Sequence, residues 1–232
     1  MTAASRTLLS ADAALHGIVP LDEIARGDHP YLSAADHCCC LAEYLPGAGY
    51  SRSQVNQLIA NLKCLPSLAT ANPLRARHKC RAIAAIAGAL RRAVGRRSAE
   101  CSTWVPIPPS RMARDCDYDD RLERVLSAAF AGYDFDLRLL LYQAASTAAD
   151  HAQRRRLSPD RLYELIRVDA QALRLRPLRE CIVLFDDVLT TGKHFKCCER
   201  RLREASPQVA IRGLFVARRV LPRRRCGPWP RG

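Results

Sequence analysis

The sequence predicts an α/β protein in which a parallel sheet flanked by helices follows a helical N-terminal cap. After residue 101, short apolar runs alternate with helical patterns, which is typical of strands joined by helices. The run Cys181–Phe185 is continuously apolar and bounded by polar residues, as expected of a strand buried on both faces of a parallel sheet. Before residue 101, amphipathic helical patterns dominate, which suits a cap packed onto that sheet.

Length and composition fit one folded domain of generous size with an appended segment and a tail. The chain has 232 residues, and its hydrophobic fraction of 48% excludes general disorder. No apolar run reaches the roughly 18 residues of a membrane-spanning helix. Acids also interrupt the N-terminal region where a secretory signal would need an apolar stretch. We therefore expect a cytoplasmic protein with no membrane partner.

The first elements are predicted to be helices that follow a weakly ordered segment at 1–32. The first helix is predicted at Ser33–Leu45, because a serine can cap its start and a Pro-Gly pair follows its end. Ser51 stands three residues before a glutamine, and this capping-box spacing opens a second helix. A third helix is predicted at about Arg75–Val94, with apolar residues along one face. Residues 33–100 would form the cap.

Residues 101–217 are predicted to form the α/β domain itself. The first strand ends at Pro108 and Pro109, because proline cannot continue a paired strand. In chain order, the predicted elements are a strand at Thr103–Ile107, a helix over about 118–131, strands at Leu137–Tyr142 and Cys181–Phe185, a helix at Phe195–Glu204 and a strand at Val209–Ala217. The stretch 218–232 is rich in Pro, Gly and Arg, and it is predicted to be a basic tail.

The net charge of +14 is concentrated towards the end of the chain. Arginine supplies 33 of the 37 basic residues, a skew that codon bias in a GC-rich genome would produce. Residues 101–217 carry 19 basic and 16 acidic side chains, whereas residues 218–232 carry six arginines and no acid. The charge therefore gives weak support for a nucleic-acid partner and suits an anionic ligand.

The eleven cysteines do not predict a disulfide framework or a zinc ribbon, because they show no C-x-x-C pair and no regular spacing. Cys38, Cys39 and Cys40 are adjacent, and two interpretations apply to them. They could form a metal site or supply a thiol nucleophile, or they could fill small apolar positions on a helix. Neighbouring helical residues point about 100° apart, so three of them cannot face one ion, and packing is favoured.

The stretch from Val183 to Lys193 combines acids, hydroxyls and a glycine after a buried strand. Asp186 and Asp187 follow the strand, and two threonines and a glycine then lead into a helix. In open α/β sheets, ligands bind at the carboxyl ends of strands, and loop amides with helix N-termini bind phosphate. Two carboxylates beside a phosphate cradle suit sugar hydroxyls or a divalent cation. The pattern therefore predicts a phosphorylated ribose with Mg²⁺.

A P-loop is the competing interpretation, because Gly192 and Lys193 are similar to the end of a Walker A segment. The first glycine of that motif would fall at Asp187, and His194 stands where Ser or Thr is required. Both departures exclude a P-loop.

The same residues resemble the 5-phosphoribosyl 1-pyrophosphate signature of the type I phosphoribosyltransferases. All eleven positions from Ile182 to Gly192 satisfy that pattern: four apolar residues, two acids, an apolar residue, any residue, two hydroxyl residues and glycine. The resemblance implies a type I phosphoribosyltransferase-like, Rossmann-like core. The chain is similar to the ComF-like branch over roughly 35–217, where Asn56–Lys63 resembles the helix before that branch's transferase core.

The resemblance also implies roles for individual residues. Asp186 and Asp187 would be the catalytic residues and would hold the ribose 2′- and 3′-hydroxyls. The ribose 5′-phosphate loop would comprise Val188, Leu189, Thr190, Thr191, Gly192 and Lys193. Mg²⁺ would be bound mainly through the ligand, and the two acids are candidate metal ligands.

A second stretch, Val105–Arg111, resembles the first strand and pyrophosphate loop of the ComF-like branch. Pro109, Ser110 and Arg111 would line that loop, where backbone amides meet pyrophosphate and the guanidinium adds a charge-assisted contact. This loop stands about 75 residues before the acid pair.

The family carries a mobile basic loop in the region of Gln143, Arg154 and Arg155, which are therefore flexible-loop candidates. Such a loop would close over pyrophosphate and exclude water. The arginine run 154–156 is equally consistent with a solvated face. A further departure lies after the signature, because the family continues with Ala-Thr where this chain has Lys193 and His194.

We therefore expect a phosphoribosyltransferase that binds 5-phosphoribosyl 1-pyrophosphate with Mg²⁺ and transfers the phosphoribosyl group to a nitrogen acceptor, which the sequence does not identify. One alternative is a non-catalytic ComF-like factor that regulates through a ligand or takes part in DNA uptake. Another is a nucleic-acid-binding protein that uses the tail at 218–232. Homo-oligomer formation stays open.

Overall fold

The computed structural model describes residues 15, 17–47, 53–147 and 157–221. In chain order, its strands are β1 (Val19–Pro20), β2 (Cys38–Tyr44), β3 (Ser102–Pro106), β4 (Asp136–Leu137), β5 (Leu141–Gln143), β6 (Ile166–Val168), β7 (Cys181–Leu189) and β8 (Ala210–Arg219). Its helices are α1 (Glu23–Arg26), α2 (Gln54–Leu62), α3 (Pro66–Ala71), α4 (Pro73–Ala93), α5 (Arg96–Glu100), α6 (Arg121–Ala129), α7 (Pro159–Leu165), α8 (Ala170–Arg174) and α9 (Lys193–Ala205).

The central sheet has six strands in the order β1-β2-β8-β7-β3-β4. The neighbouring pairs from β2 through β4 are parallel, whereas the short edge strand β1 is antiparallel to β2. Strands β5 and β6 form a separate antiparallel ribbon. The protein thus has an α/β fold with a mostly parallel central sheet, which is compatible with a Rossmann-like core.

Helices cover both faces of this sheet. On one face, α2, α4 and α6 pack in a core that contains Ile86, Leu90 and Phe130. On the other face, α9 and the β5–β6 ribbon pack around Phe195 and Phe215, whose rings meet edge to face at 6.0 Å. Because the strands are covered on both sides, the apolar runs of β3 and β7 are continuous rather than alternating.

Several predicted elements are confirmed where the structure describes them. They are the helices α2, α4, α6 and α9 and the strands β3, β7 and β8. Ser53 caps α2, because its side chain accepts a hydrogen bond from the Asn56 amide, while Ser51 lies outside the described residues. The apolar spacing of each helix matches the face that it buries.

The helix predicted at Ser33–Leu45 is wrong, because this stretch contains strand β2. The small apolar run from Cys38 to Ala42 gives no clear periodicity, and such short runs do not distinguish a strand from a buried helix. Pairing decides the outcome: Cys38 lies opposite Gly213 of β8, and Cys40 lies opposite Val19 of β1. The predicted cap is therefore not purely helical, because it supplies a strand to the central sheet.

The strand predicted at Leu137–Tyr142 is also wrong, because the chain leaves the central sheet within it. Arg138 turns its guanidinium onto Asp136, at 2.9 Å, and onto the backbone carbonyls of Arg176 and Pro177. Strand β4 ends before that arginine, and β5 joins a different sheet.

The end predicted for β7 at Phe185 is wrong as well, because β7 remains paired with β8 as far as Leu189.

The adjacent cysteines pack as small apolar residues, although on a strand rather than on the expected helix. The side chains of Cys38 and Cys40 are buried in the core beneath α9. Burial raises the pKa of Cys38 to about 12 and that of Cys40 to about 11, so both stay protonated thiols at neutral pH.

Among the described helices, none combines the length and apolar character needed to cross a membrane.

Candidate functional site

Strands β3 and β7 lie side by side at the point where the strand order reverses. After β3 the chain continues to the neighbouring strand β4, and after β7 it continues in the opposite direction to β8. In open α/β sheets, ligands bind in the crevice outside the carboxyl ends of the strands at such a reversal. This edge is therefore the expected ligand site of the fold.

Both predicted loops leave the sheet at this edge. The Ile107 amide donates to the Phe185 carbonyl at 2.9 Å, which continues the pairing of β3 with β7 beyond Pro106. Because the strands are parallel, the residues that follow, Pro109 and Ser110, leave the sheet at the same edge as Asp187. The structure thus brings together two stretches that stand far apart in the sequence.

The loop between β7 and α9 is a tight strand-to-helix turn. Gly192 is the N-cap of α9 and adopts φ +82°, in the left-handed region that favours glycine. The Lys193 amide donates to Thr191 Oγ1 at 3.4 Å, and the Lys196 amide donates to the Gly192 carbonyl at 3.0 Å. The positive end of the helix dipole lies at this turn, which makes the turn suitable for an anion.

A segment from the N-terminal part of the chain holds this loop from one side. His29 Nδ1 lies 2.5 Å from the Thr190 carbonyl, and the Tyr31 amide donates to the Thr191 carbonyl at 3.0 Å. A Cβ on Gly192 would lie 2.8 Å from Leu32 side-chain carbons. In planar trans peptides the N–H is opposite to the C=O, so the Thr191 and Gly192 amides point away from this segment.

The buried His29 imidazole donates rather than accepts at this contact, because its partner is a carbonyl. Burial lowers the pKa of His29 and outweighs the opposing effect of the bond to Thr190, so the ring is neutral at physiological pH. Nδ1 therefore carries the proton. Nothing in the sequence pattern singled out His29, because its partner is 161 residues away.

Asp187 is buried and held by two cations. Its Oδ2 accepts from Arg121 Nε at 2.9 Å and Nη2 at 2.6 Å, and its Oδ1 lies 2.8 Å from Lys63 Nζ. Burial by itself raises the pKa of Asp187, but Lys63 and Arg121 outweigh it and hold that pKa well below its ordinary value. This carboxylate is therefore ionised and fully engaged.

Asp186 has a different environment. Its Oδ1 accepts from the Asp187 amide at 2.7 Å, and no lysine or arginine forms an ion pair with it among the described residues. Burial and the neighbouring charge of Asp187 raise the pKa of Asp186 to about 7. Asp186 is partly exposed, so of the two acids it is the one that can exchange partners with a ligand.

The cations around Asp187 extend into a network that the sequence interpretation missed. Arg121 also lies 3.1 Å from Asp119, whose carboxylate pairs with Lys79 at 2.7 Å. A signal was present, because lysine is rare in this arginine-rich chain and occurs only at 63, 79, 193 and 196. Each of these four lysines donates to a carboxylate or a carbonyl in the structure.

Three residues assigned to the phosphate loop lie beside it rather than in it. Val188 and Leu189 belong to β7, and their side chains are buried in the two cores. Lys193 is the first residue of α9, and its Nζ donates to the Leu157 carbonyl at 2.7 Å. The loop itself is thus formed by Thr190, Thr191 and Gly192.

The predicted pyrophosphate loop is an irregular turn after β3. The Ser110 carbonyl accepts from the Thr147 amide at 2.8 Å. Arg111 lies 3.3 Å from Asp115 and keeps 40% of its side chain exposed. This loop is therefore anchored through its backbone, and its guanidinium is paired with Asp115 while staying partly exposed.

The flexible-loop candidates are separated by the structure. Gln143 ends strand β5 and is buried, and neither atom of its amide finds a hydrogen-bond partner in the described structure. It therefore lies at the end of the β5–β6 ribbon, directly before the segment that leads towards Arg154. Arg154 and Arg155 lie outside the described residues, as does the tail from residue 222 onward.

The donor set at this edge suits Mg²⁺ that arrives with a ligand. Mg²⁺ takes one or two carboxylates together with substrate phosphates. Asp187 is engaged by cations, which leaves Asp186 as the carboxylate at hand. Within the described ranges, no group of three or more His, Cys, Asp or Glu side chains could hold a metal ion.

A groove of about 730 Å³ runs along α9, next to the segment that holds the β7–α9 loop. It passes Lys193, and its lining includes neither Asp186 nor Asp187. The candidate site is therefore assigned to the strand edge, where the loops and charges converge, and not to this groove.

Comparisons of the chain with protein-family models, curated proteins and solved structures found no match.

Proposed function

We propose that the protein binds 5-phosphoribosyl 1-pyrophosphate at this edge and transfers the phosphoribosyl group to a nitrogen acceptor, within a type I phosphoribosyltransferase-like fold. One observation supports this most: the acid pair and the Thr190–Gly192 loop emerge beside the Pro109–Arg111 loop, where the strand order reverses. That juxtaposition offers sites for a phosphate, a diol and a second anion in one crevice.

Each part of the ligand has a matching group. The Thr191 and Gly192 amides at the start of α9 suit the 5′-phosphate, because they point away from the segment that holds their carbonyls. Asp186 suits a ribose hydroxyl, since its carboxylate forms no ion pair among the described residues. The loop with Ser110 and Arg111 suits the pyrophosphate, where Mg²⁺ would supply charge neutralisation.

In the proposed reaction, the lone pair of the acceptor nitrogen forms a bond to C1 of the ribose. The C1–O bond to pyrophosphate breaks, both of its electrons leave with pyrophosphate, and the nitrogen releases a proton to solvent. The protein would fix the 5′-phosphate and a ribose hydroxyl, so that C1 is oriented while charge develops on it.

Calorimetry with 5-phosphoribosyl 1-pyrophosphate and Mg²⁺ tests ligand binding. Asp186→Asn should weaken binding roughly tenfold or more, because a carboxylate accepts hydroxyl hydrogen bonds more strongly than an amide. Asp134→Asn is the matched control, since the Asp134 side chain is 88% exposed and pairs with Arg179 rather than with residues of the site. If the wild-type protein binds no ligand at millimolar concentration, the proposed function is wrong.

Turnover is measured separately as pyrophosphate release in the presence of nucleobases and ammonia donors. Release that depends on an acceptor supports the transferase. Binding without release with any acceptor would instead favour the regulatory, non-catalytic alternative.

A further inference from the structure

Three cations form ion pairs with two carboxylates at Asp187. Lys63, Lys79 and Arg121 pair with Asp119 and Asp187, while Asp186 acts on Lys63 and Arg121 only at longer range. Lys79 is buried, as are both carboxylates, and Arg121 keeps 14% of its side chain exposed. Lys63 keeps 37% exposed, so of the three cations it is the one that solvent or a ligand can reach.

Lys63 is held at one point and is otherwise available. It caps the C-terminus of α2, and Asp187 is the one carboxylate with which it pairs in the described structure. An ammonium group has three donors, and the Asp187 Oδ1 contact at 2.8 Å uses one of them. The other donors can bind an anion without breaking the buried pair.

The contact with Asp187 places the Lys63 ammonium near the end of β7. Ile107 pairs with Phe185, so the residues of the Pro109–Arg111 loop leave the sheet on the β3 side of Asp187. Lys63 approaches the same carboxylate from α2. The loop and the ammonium therefore both lie near the end of β7 that carries Asp187.

Asp187 is poorly suited to a ligand, because three short contacts from two cations already hold its carboxylate. A ligand that took over this buried carboxylate would have to replace its contacts with both cations, which is costly. The same contacts fix the lysine in place. Asp187 therefore holds Lys63 in position, whereas Asp186 is left to contact the ligand.

We propose, on the basis of the proposed function, that Lys63 binds the pyrophosphate group of the ligand and that Asp187 and Arg121 are positioning residues that hold it there. Asp186 is then the acid that meets the ribose. This assigns to α2 a part in the site that the loops alone do not supply.

The test compares three ligands, each with Mg²⁺: 5-phosphoribosyl 1-pyrophosphate, inorganic pyrophosphate and ribose 5-phosphate. Lys63→Met should weaken binding of the first two roughly ten- to hundredfold, because a charged hydrogen bond is lost. Ribose 5-phosphate lacks pyrophosphate, so its affinity should stay within about threefold. Lys63→Arg should restore most of the affinity, since it keeps the charge.

Lys196→Met is the matched control, because Lys196 is 35% exposed and pairs with Asp36 at 2.6 Å. It should leave the affinity ratio of the two sugar phosphates unchanged. If Lys63→Met does not fold, Lys63→Gln keeps a hydrogen-bond donor beside Asp187, which stays paired with Arg121, and should show the same selective loss.

The outcomes separate this inference from the proposed function. Equal weakening of ribose 5-phosphate, or unchanged affinity for both pyrophosphate ligands, overturns the role of Lys63 while the proposed function stands. If the wild-type protein binds inorganic pyrophosphate through Lys63 but neither sugar phosphate, the proposed function fails and the anion site remains.

Discussion

Asp186 and Asp187 are neighbours in one strand, yet they have opposite ionisation behaviour. Successive strand residues point to opposite faces, so only the second acid reaches the cations of α2 and α6. Asp186 is left beside a permanent negative charge, and this charge together with partial burial raises the pKa of Asp186 to about 7. One residue therefore stabilises the fold as an anion, whereas the other destabilises it when it ionises.

This difference predicts a pH dependence of stability. Below the ordinary carboxyl pKa of about 4, Asp186 is protonated in both the folded and the unfolded chain. As the pH rises towards about 7, the unfolded chain releases this proton first, so the contribution of Asp186 to folding is lost. Asp186→Asn should therefore gain free energy of unfolding relative to wild type, by roughly 1 kcal/mol or more at pH 7.5.

Urea denaturation at pH 4.5 and pH 7.5 measures this gain. A difference between variant and wild type that is the same at both pH values would contradict the raised pKa of Asp186. A gain in stability together with weaker ligand binding would identify Asp186 as a residue kept at a cost to the fold.

At the scale of elements, β7, the loop after it and α9 act as one unit. The loop is fixed by the left-handed Gly192, by the start of the helix and by the segment from His29 to Leu32. The orientation of its amides thus depends on contacts from a distant part of the chain. Loss of any of these contacts would change the loop without changing the strand or the helix.

Gly192→Ala should lower both stability and phosphate affinity. The added Cβ would meet Leu32 at 2.8 Å and would place an alanine at φ +82°. The strain of that backbone conformation costs about 1–2 kcal/mol per residue, and the contact adds to it. Thermal unfolding and calorimetry with ribose 5-phosphate measure the two effects.

Leu32→Ala in the Gly192→Ala background is the control for the contact. It removes the close side chain, so part of the lost stability should return while the backbone strain remains. Full stability of Gly192→Ala alone would contradict the tight packing of this loop.

The sequence predicts the elements around the site better than the contacts within it. Strand β3 and helix α9 are predictable because prolines, apolar runs and helical spacing are local signals. Strand β2 is not, because five small apolar residues favour neither period and partners on β1 and β8 decide its structure. The contacts of His29 and Arg121 are also not predictable, since each depends on tertiary pairing.

At the scale of the whole molecule, the boundary predicted at residue 101 crosses a shared core. Residues of α2 and α4 pack in one core with Trp104 of β3 and Phe185 of β7. Strand β2 also extends the sheet beside β8. The segments on the two sides of the boundary bury each other's apolar surface, so neither has a complete core alone.

A fragment of residues 101–217 should therefore not fold. It would expose the sheet face that α2 and α4 cover, and it would leave β8 as an unpaired edge. We expect no cooperative thermal transition by circular dichroism, whereas the full chain should show one. A cooperative transition of the fragment would contradict the shared core and favour a separable domain.

The pairing of β2 with β8 also has a consequence for synthesis of the chain. Cys38 lies opposite Gly213, so about 175 residues must be synthesised after Cys38 before β8, its parallel neighbour, exists. At roughly 5–20 residues per second, the cysteine-rich edge waits on the order of ten seconds or more in the nascent chain. This interval exposes reduced thiols and unpaired backbone to oxidants and to other nascent strands. Chaperone binding to the first fifty residues during translation would shield both.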